Sequence, residues 1–197
     1  MVSSSRYKNS RNLKFKASIL LLTSLVSVAA DKGVPFKPAP ASEYEAKANF
    51  DQVLIAVDAF DTEEKTKTAF GKVTPNRYSV LPILLVIENN RKNPLDMRNL
   101  RVTYRPRGGQ EIESTPSSEV KYEGAGPSKP KLPGKRGNDI IDERAFAARM
   151  LAPGESASGF IYFLTEYHGG VTITISGLRD SVAQKDLFYT EIPLTHR

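Results

Sequence analysis

The chain has 197 residues, 28 Lys and Arg against 22 Asp and Glu, a net charge of +6, and neither Cys nor Trp. Without Cys there is no disulfide framework, no thiolate metal site and no thiol to carry a lipid. Five of the basic residues and none of the acidic ones fall within residues 1–30, so the remainder is near neutral at +1, which removes the basic footprint that nucleic-acid binding requires.

Residues 1–30 read as a secretory signal peptide. Arg6, Lys8, Arg11, Lys14 and Lys16 precede the apolar run SILLLTSLVSVAA, which ends in small residues suited to cleavage after Ala29 or Ala30. The run is shorter than the ~20 residues a spanning helix needs. The expected mature chain is exported, periplasmic or secreted, with no stable membrane span after cleavage.

Residues 31–49 are Pro-rich near their start, KGVPFKPAPA, and read as an extended leader. A single domain is expected over 50–194. The run QVLIAVD, 52–58, predicts a first strand, and 61–71 predicts a short helix or ordered loop with Asp61 as cap and Gly71 as terminator. VLPILLVIEN, 80–89, is the strongest apolar run; Pro82 lacks a ladder donor and is expected at a strand start or an edge. The sequence NNRKNP, 89–94, is a turn. Leu100, Val102 and Tyr104 alternate with polar residues, the period of a half-buried strand. Short strands are expected at 112–115 and 119–122.

Residues 124–138, GAGPSKPKLPGKRGN, predict a flexible basic loop, because they hold little apolar surface to offset their ordering entropy. Lys129, Lys131, Lys135 and Arg136 are its candidate binding residues for a protein partner in the cell envelope or an extracellular polymer. DIIDERAFAARM, 139–150, predicts a helix with Ile141, Ala145 and Ala148 on one face. Strands are then expected at 159–164, 171–175 and 187–192. Several short strands without βαβ alternation predict an all-β sandwich.

The stretch GESASG, 154–159, resembles a serine nucleophile elbow but departs from G-x-S-x-G at Ser158, and its context is turn-to-strand rather than strand-to-helix. A triad would need Ser156, Asp180 or Asp186, and His196. The expectation is a polar Pro-Gly turn entering a strand. His168 and His196 are the only histidines, too few for a zinc site. Asp58, Asp61, Glu63 and Glu64 lack the loop spacing of a calcium site. Asp139, Asp142 and Glu143 suit a helix start as well as paired carboxylates. No cofactor is expected.

The segments VLPILLVIENNRKNPLDMRNLRVTY and RAFAARMLAPGESASGFIYF, followed by VTITISGLRD and KDLFYTEIPL, resemble a group of bacterial exported proteins with immunoglobulin-like, telokin-like extracellular domains. The matching pieces are 83–90 and 151–159. The resemblance implies an all-β, immunoglobulin-like antiparallel β-sandwich with one or two short helices and a long Gly/Pro/Lys-rich loop. It implies no catalytic residue.

The expected function is an exported, non-enzymatic binding or structural module of the bacterial cell envelope. Recognition is expected at the basic loop and at an exposed edge near Pro82. Two rival functions are a carbohydrate-binding module, which needs exposed coplanar aromatics, and a small serine hydrolase using Ser156.

Overall fold

A computed structural model describes residues 36–120, 140–187 and 189–195. The chain divides into Met1–Lys32 and Gly33–Arg197, and every described residue belongs to the second unit. The expected signal peptide and basic loop lie outside the described residues. In chain order the elements are β1 (Lys47–Phe50), β2 (Val53–Ala59), helix α1 (Glu63–Phe70), β3 (Leu81–Asn89), β4 (Leu95–Asp96), β5 (Arg101–Arg105), β6 (Ile112–Glu113), helix α2 (Ile140–Arg144), β7 (Met150–Leu151), β8 (Ser156–Phe163), β9 (Val171–Ser176), β10 (Arg179–Asp180), β11 (Lys185–Asp186) and β12 (Thr190–Leu194). Short 3-10 turns stand at Ala41–Glu43, Pro75–Tyr78 and Ser117–Glu119. The class is all-β. Three sheets run β1-β2-β3-β8, β12-β9-β5-β6 and β11-β10-β4-β7, all with antiparallel strands.

Two hydrophobic clusters explain the strand patterns. Val53, Ile55 and Val57 of β2 and Ile83, Leu85 and Ile87 of β3 share one cluster with Val102, Tyr104, Ile173, Ile175 and Ile192 of the second sheet. The second sheet buries only that face, so β9 alternates buried and half-buried residues along Val171–Ser176. The first sheet is covered on both faces. Leu84, Val86, Phe160 and Tyr162 form a second cluster with Phe60, Phe70 and Ile141. This double burial is why 80–89 reads as an unbroken apolar run.

Residues 36–49, read as a leader, are built into the domain. Ala41 is fully buried, and β1 pairs with β2 from Lys47↔Ala56 to Phe50↔Val53. The strand is short and has a weak apolar pattern, so only its pairing with β2 reveals it. The two residues between these strands, Asp51 and Gln52, both take positive φ, 47° and 62°, as a tight hairpin of the correct twist requires.

Helix α1 is capped by Thr62, whose hydroxyl accepts from the Lys65 amide, and not by Asp61; Gly71 closes it with φ 63°. The helix expected over 139–150 stops at Arg144. The Phe146 amide instead donates to the Phe160 carbonyl at 2.9 Å, and Ala147 and Ala148 are exposed. Binding to β8 replaces the next helical turn. Among the described residues, no helix is long and apolar enough to cross a membrane.

Pro82 is the second residue of β3, as its missing donor demands. It is buried within the sheet, opposite Tyr162 of β8, so the expected exposed edge near Pro82 is corrected. The Phe60 amide donates to the Pro82 carbonyl at 2.9 Å. The return bond would need a Pro82 N–H. The Asn76 side-chain amide donates to the Phe60 carbonyl instead, at 2.8 Å, and lets a proline sit inside a central strand.

Candidate recognition edge

The two segments that carry the family resemblance meet in space. The Asn89 amide donates to the Glu155 carbonyl at 2.9 Å, and the Gly154 amide donates to the Asn89 carbonyl at 2.7 Å. The fully buried Asn89 side chain donates to the Leu151 and Asn93 carbonyls, both at 3.0 Å. The Asn-rich turn and the Pro-Gly turn therefore lock together. Beside them, Arg91 bonds Asp51 on the hairpin and Asp180 on β10 at 2.6 Å. Asp180 also accepts from the amides of Val182 and Ala183 and from Asn93. These bonds, led by the Ala183 amide and the Asn93 side chain, hold its carboxyl well below the usual range. This network, buried at Asn89 and Asp180 and open to solvent at Asp51, ties the sheets together, and most of its polar atoms face one another.

Ser156 is the first residue of β8 and stands opposite Glu88 of β3. Gly154, with φ 76°, forms the turn before it. The chain there runs from turn to strand, so the serine lacks the helix N-terminus that an elbow aims at an oxyanion. Asp180 is fully engaged by its own partners, Asp186 is exposed on β11, and His196 lies outside the described residues. Gly159 serves another purpose: a Cβ there would stand 2.5 Å from the Phe146 Cα, so glycine permits the crossing of 145–146 over β8.

Other expected constellations are spread apart. Asp58 pairs with Lys65 at 2.8 Å, and Glu63 with Arg77 at 3.1 Å. Asp142 and Glu143 are exposed in the first turn of α2, and Asp139 is outside the described residues, as are Lys129, Lys131, Lys135 and Arg136. Among the described residues no three His, Asp or Glu side chains gather as metal ligands would. Tyr189, 63% exposed, is the most exposed large aromatic among them.

The sheet edges differ in what they offer. β12 carries Pro193, β6 has two residues, and β1 has four and displays Lys47; all three are common ways of blunting an edge. β8 has eight residues. Its carbonyls at Phe160 and Tyr162 face away from β3, since they accept from the Phe146 and Thr115 amides. By the alternation of an antiparallel ladder, the backbone of Ser156 and Ser158 faces the same way, and among the described residues nothing hydrogen-bonds to it on that side. Small side chains and unpaired backbone leave this edge open among the described residues. The sequence predicts a polar turn entering a strand here, which is what the structure shows, but carries no sign of the open backbone.

A Pro-rich strap passes this edge. Phe36 packs against Phe60 and Phe160 with ring centroids 5.8 Å and 5.5 Å away. The Arg144 guanidinium lies 5.7 Å from the Phe36 ring centre, and its Nη1 donates to the Phe36 carbonyl at 3.3 Å. The Ala39 amide donates to the Tyr44 hydroxyl at 3.0 Å. Burial pushes the Tyr44 phenol up. The Ala41 amide donates to Glu88 Oε1 at 2.7 Å. Between strap and β8 lie two spaces, about 120 Å³ beside Phe36, Arg144 and Ser158 and about 260 Å³ beside Pro38, Glu88, Ser156 and Ser158.

No protein-family model matches the chain, and no curated protein does. Two solved bacterial structures are similar. One is described as a "putative lipoprotein (ycdA)" of Bacillus subtilis subsp. subtilis str. 168, with 11% identity and a TM-score of 0.40 over 78% of this chain and 39% of that one. The other is a functionally unknown protein of Listeria monocytogenes EGD-e, with 10% identity and a TM-score of 0.39 over 76% of this chain and 80% of that one. The chain thus spans well under half the length of the Bacillus protein.

Proposed function

We propose that the chain is an exported, non-enzymatic binding module of the bacterial cell envelope, built on an immunoglobulin-like sandwich, that takes an extended segment of a protein partner along β8. The observation that carries this reading is the outward-facing backbone of Ser156 and Ser158, unpaired among the described residues. An extended segment placed there would continue the sheet by main-chain hydrogen bonds. The strand order supports the immunoglobulin-like reading: β2-β3-β8 and β12-β9-β5 follow A-B-E and G-F-C of that topology. The basic head and short apolar run of residues 1–30 support export. Lys129, Lys131, Lys135 and Arg136 supply an electrostatic attraction in the encounter, which weakens with salt.

The test is a photo-crosslinking side chain introduced at Ser158 in the full chain in intact cells, with Arg101, exposed on β5, as the control position. A discrete protein adduct from position 158, absent from position 101, is the expected result. No adduct, or the same adducts from both positions, overturns the reading.

A further inference from the structure

The whole strap of residues 36–40 has the character of a ligand. It has no regular secondary structure, it is extended at Pro40 with φ −55° and ψ 148°, and its sequence Phe-Lys-Pro-Ala-Pro is preset for an extended, polyproline-like path that costs little entropy to order. Its aromatic head fills a socket of Phe60 and Phe160, with a guanidinium over the ring. Its Pro38 stands off β8, leaving space on both sides rather than a ladder. Both spaces are clefts open to solvent, so the strap is flanked by water-accessible room rather than sealed in by packing.

We infer that the strap is a displaceable, built-in occupant of a docking groove, and that the groove's partner is an extended protein segment with an aromatic residue followed by spaced prolines. This rests on the proposed use of the β8 edge and names the partner's chemistry. When the strap lifts, the Phe60 and Phe160 socket, the Arg144 guanidinium and the Ser156–Ser158 edge become one continuous track. The aromatic head takes the socket, and the residues behind it pair with the edge that the strap leaves unpaired. The Tyr44 hydroxyl, which holds the strap's Ala39 amide at 3.0 Å, holds an incoming amide in turn. The strap competes at the high local concentration that tethering provides, so affinity in the resting chain is reduced by the fraction of strap that is open.

The probe is a labelled synthetic peptide of residues 36–41, titrated by fluorescence anisotropy into the full chain and into its Phe36→Ala variant. The variant is expected to bind at least about tenfold tighter than the unaltered chain, because its own strap no longer competes. Equal affinity, or no binding to a variant that remains folded by circular dichroism, overturns the inference. Hydrogen exchange on the unaltered chain tests it without any substitution. The Ala39 amide should exchange through local opening, far faster than the amides of β3. If it exchanges only as slowly as β3, the strap lifts only with global unfolding and the inference fails. A strap-exchanged dimer of the unaltered chain, seen by light scattering, would also overturn it by making a second copy the occupant. Failure here with a discrete adduct from position 158 would leave the edge-binding function standing and remove only the strap.

Discussion

The backbone of Phe146 crosses β8 so close to Gly159 that a Cβ on the glycine would meet the Phe146 Cα at 2.5 Å and its amide nitrogen at 2.7 Å. Neither atom can move without breaking the bond from the Phe146 amide to the Phe160 carbonyl. Gly159→Ala is therefore expected to destabilise the domain by about 1–3 kcal/mol, the usual cost of overpacking. Gly154→Ala is the control. Its Cβ meets nothing within 4 Å, but its φ is 76°, so its cost should stay near 1 kcal/mol from backbone strain alone. Urea melts of both variants check the order.

The Asn76 amide replaces the donor that Pro82 lacks. Asn76→Ala should cost about 1–3 kcal/mol by leaving the Phe60 carbonyl unsatisfied. Asn76→Asp should cost more at neutral pH than at pH 3, because the ionised carboxylate would face that carbonyl. Paired melts at the two pH values read this difference, and equal losses would show that the side-chain donor contributes little.

Two carboxyls make the fold sensitive to acid. Asp96 is held down to about 2 by hydrogen bonds from the Arg98 side chain and amide, and Asp180 lies lower still, held first by the Ala183 amide and by Asn93. A free Asp titrates near 3.9. Both groups are more acidic when folded, so their stabilisation is complete above about pH 4. It is lost as pH falls toward 2 and below. Asp180→Asn should flatten the fall in melting temperature over that window, while remaining less stable than the unaltered chain at pH 7.

The hairpin between β1 and β2 carries two non-glycine residues at positive φ, with Arg91 donating to the Asp51 carbonyl at 2.9 Å. Gln52 contributes its carbonyl to the Asn90 amide at 2.9 Å, a bond that glycine would keep. Gln52→Gly should stabilise the domain by about 0.5–1 kcal/mol, since glycine adopts this conformation without a Cβ penalty. For a domain of this size the melting temperature should rise by roughly 1–4 °C.

Much of the fold was legible. Alternation along Val102 and Tyr104 and along Val171, Ile173 and Ile175 named the half-buried strands, and all five are buried. Gly71 marked a helix end correctly. The failures share a cause. The β1 strand, the early end of α2 at Arg144 and the place of Pro82 in a central strand each depend on a hydrogen-bond partner outside the segment itself: β2, the Phe160 carbonyl and Asn76. The candidate site shows the same division. GESASG was legible as a polar turn entering a strand, whereas the open backbone of Ser156 and Ser158 depends on which strands flank β8.

By itself, then, the sequence determined the all-β class, the main strands, and the absence of thiol chemistry, because periodicity and residue type are local properties of the chain. Only tertiary structure decided that β3 is buried on both faces, that 83–90 and 151–159 lock together through Asn89, and that the strap crosses the open end of β8. Each of those features is a relation between segments far apart in the chain, fixed by hydrogen-bond pairing and packing that no local pattern records.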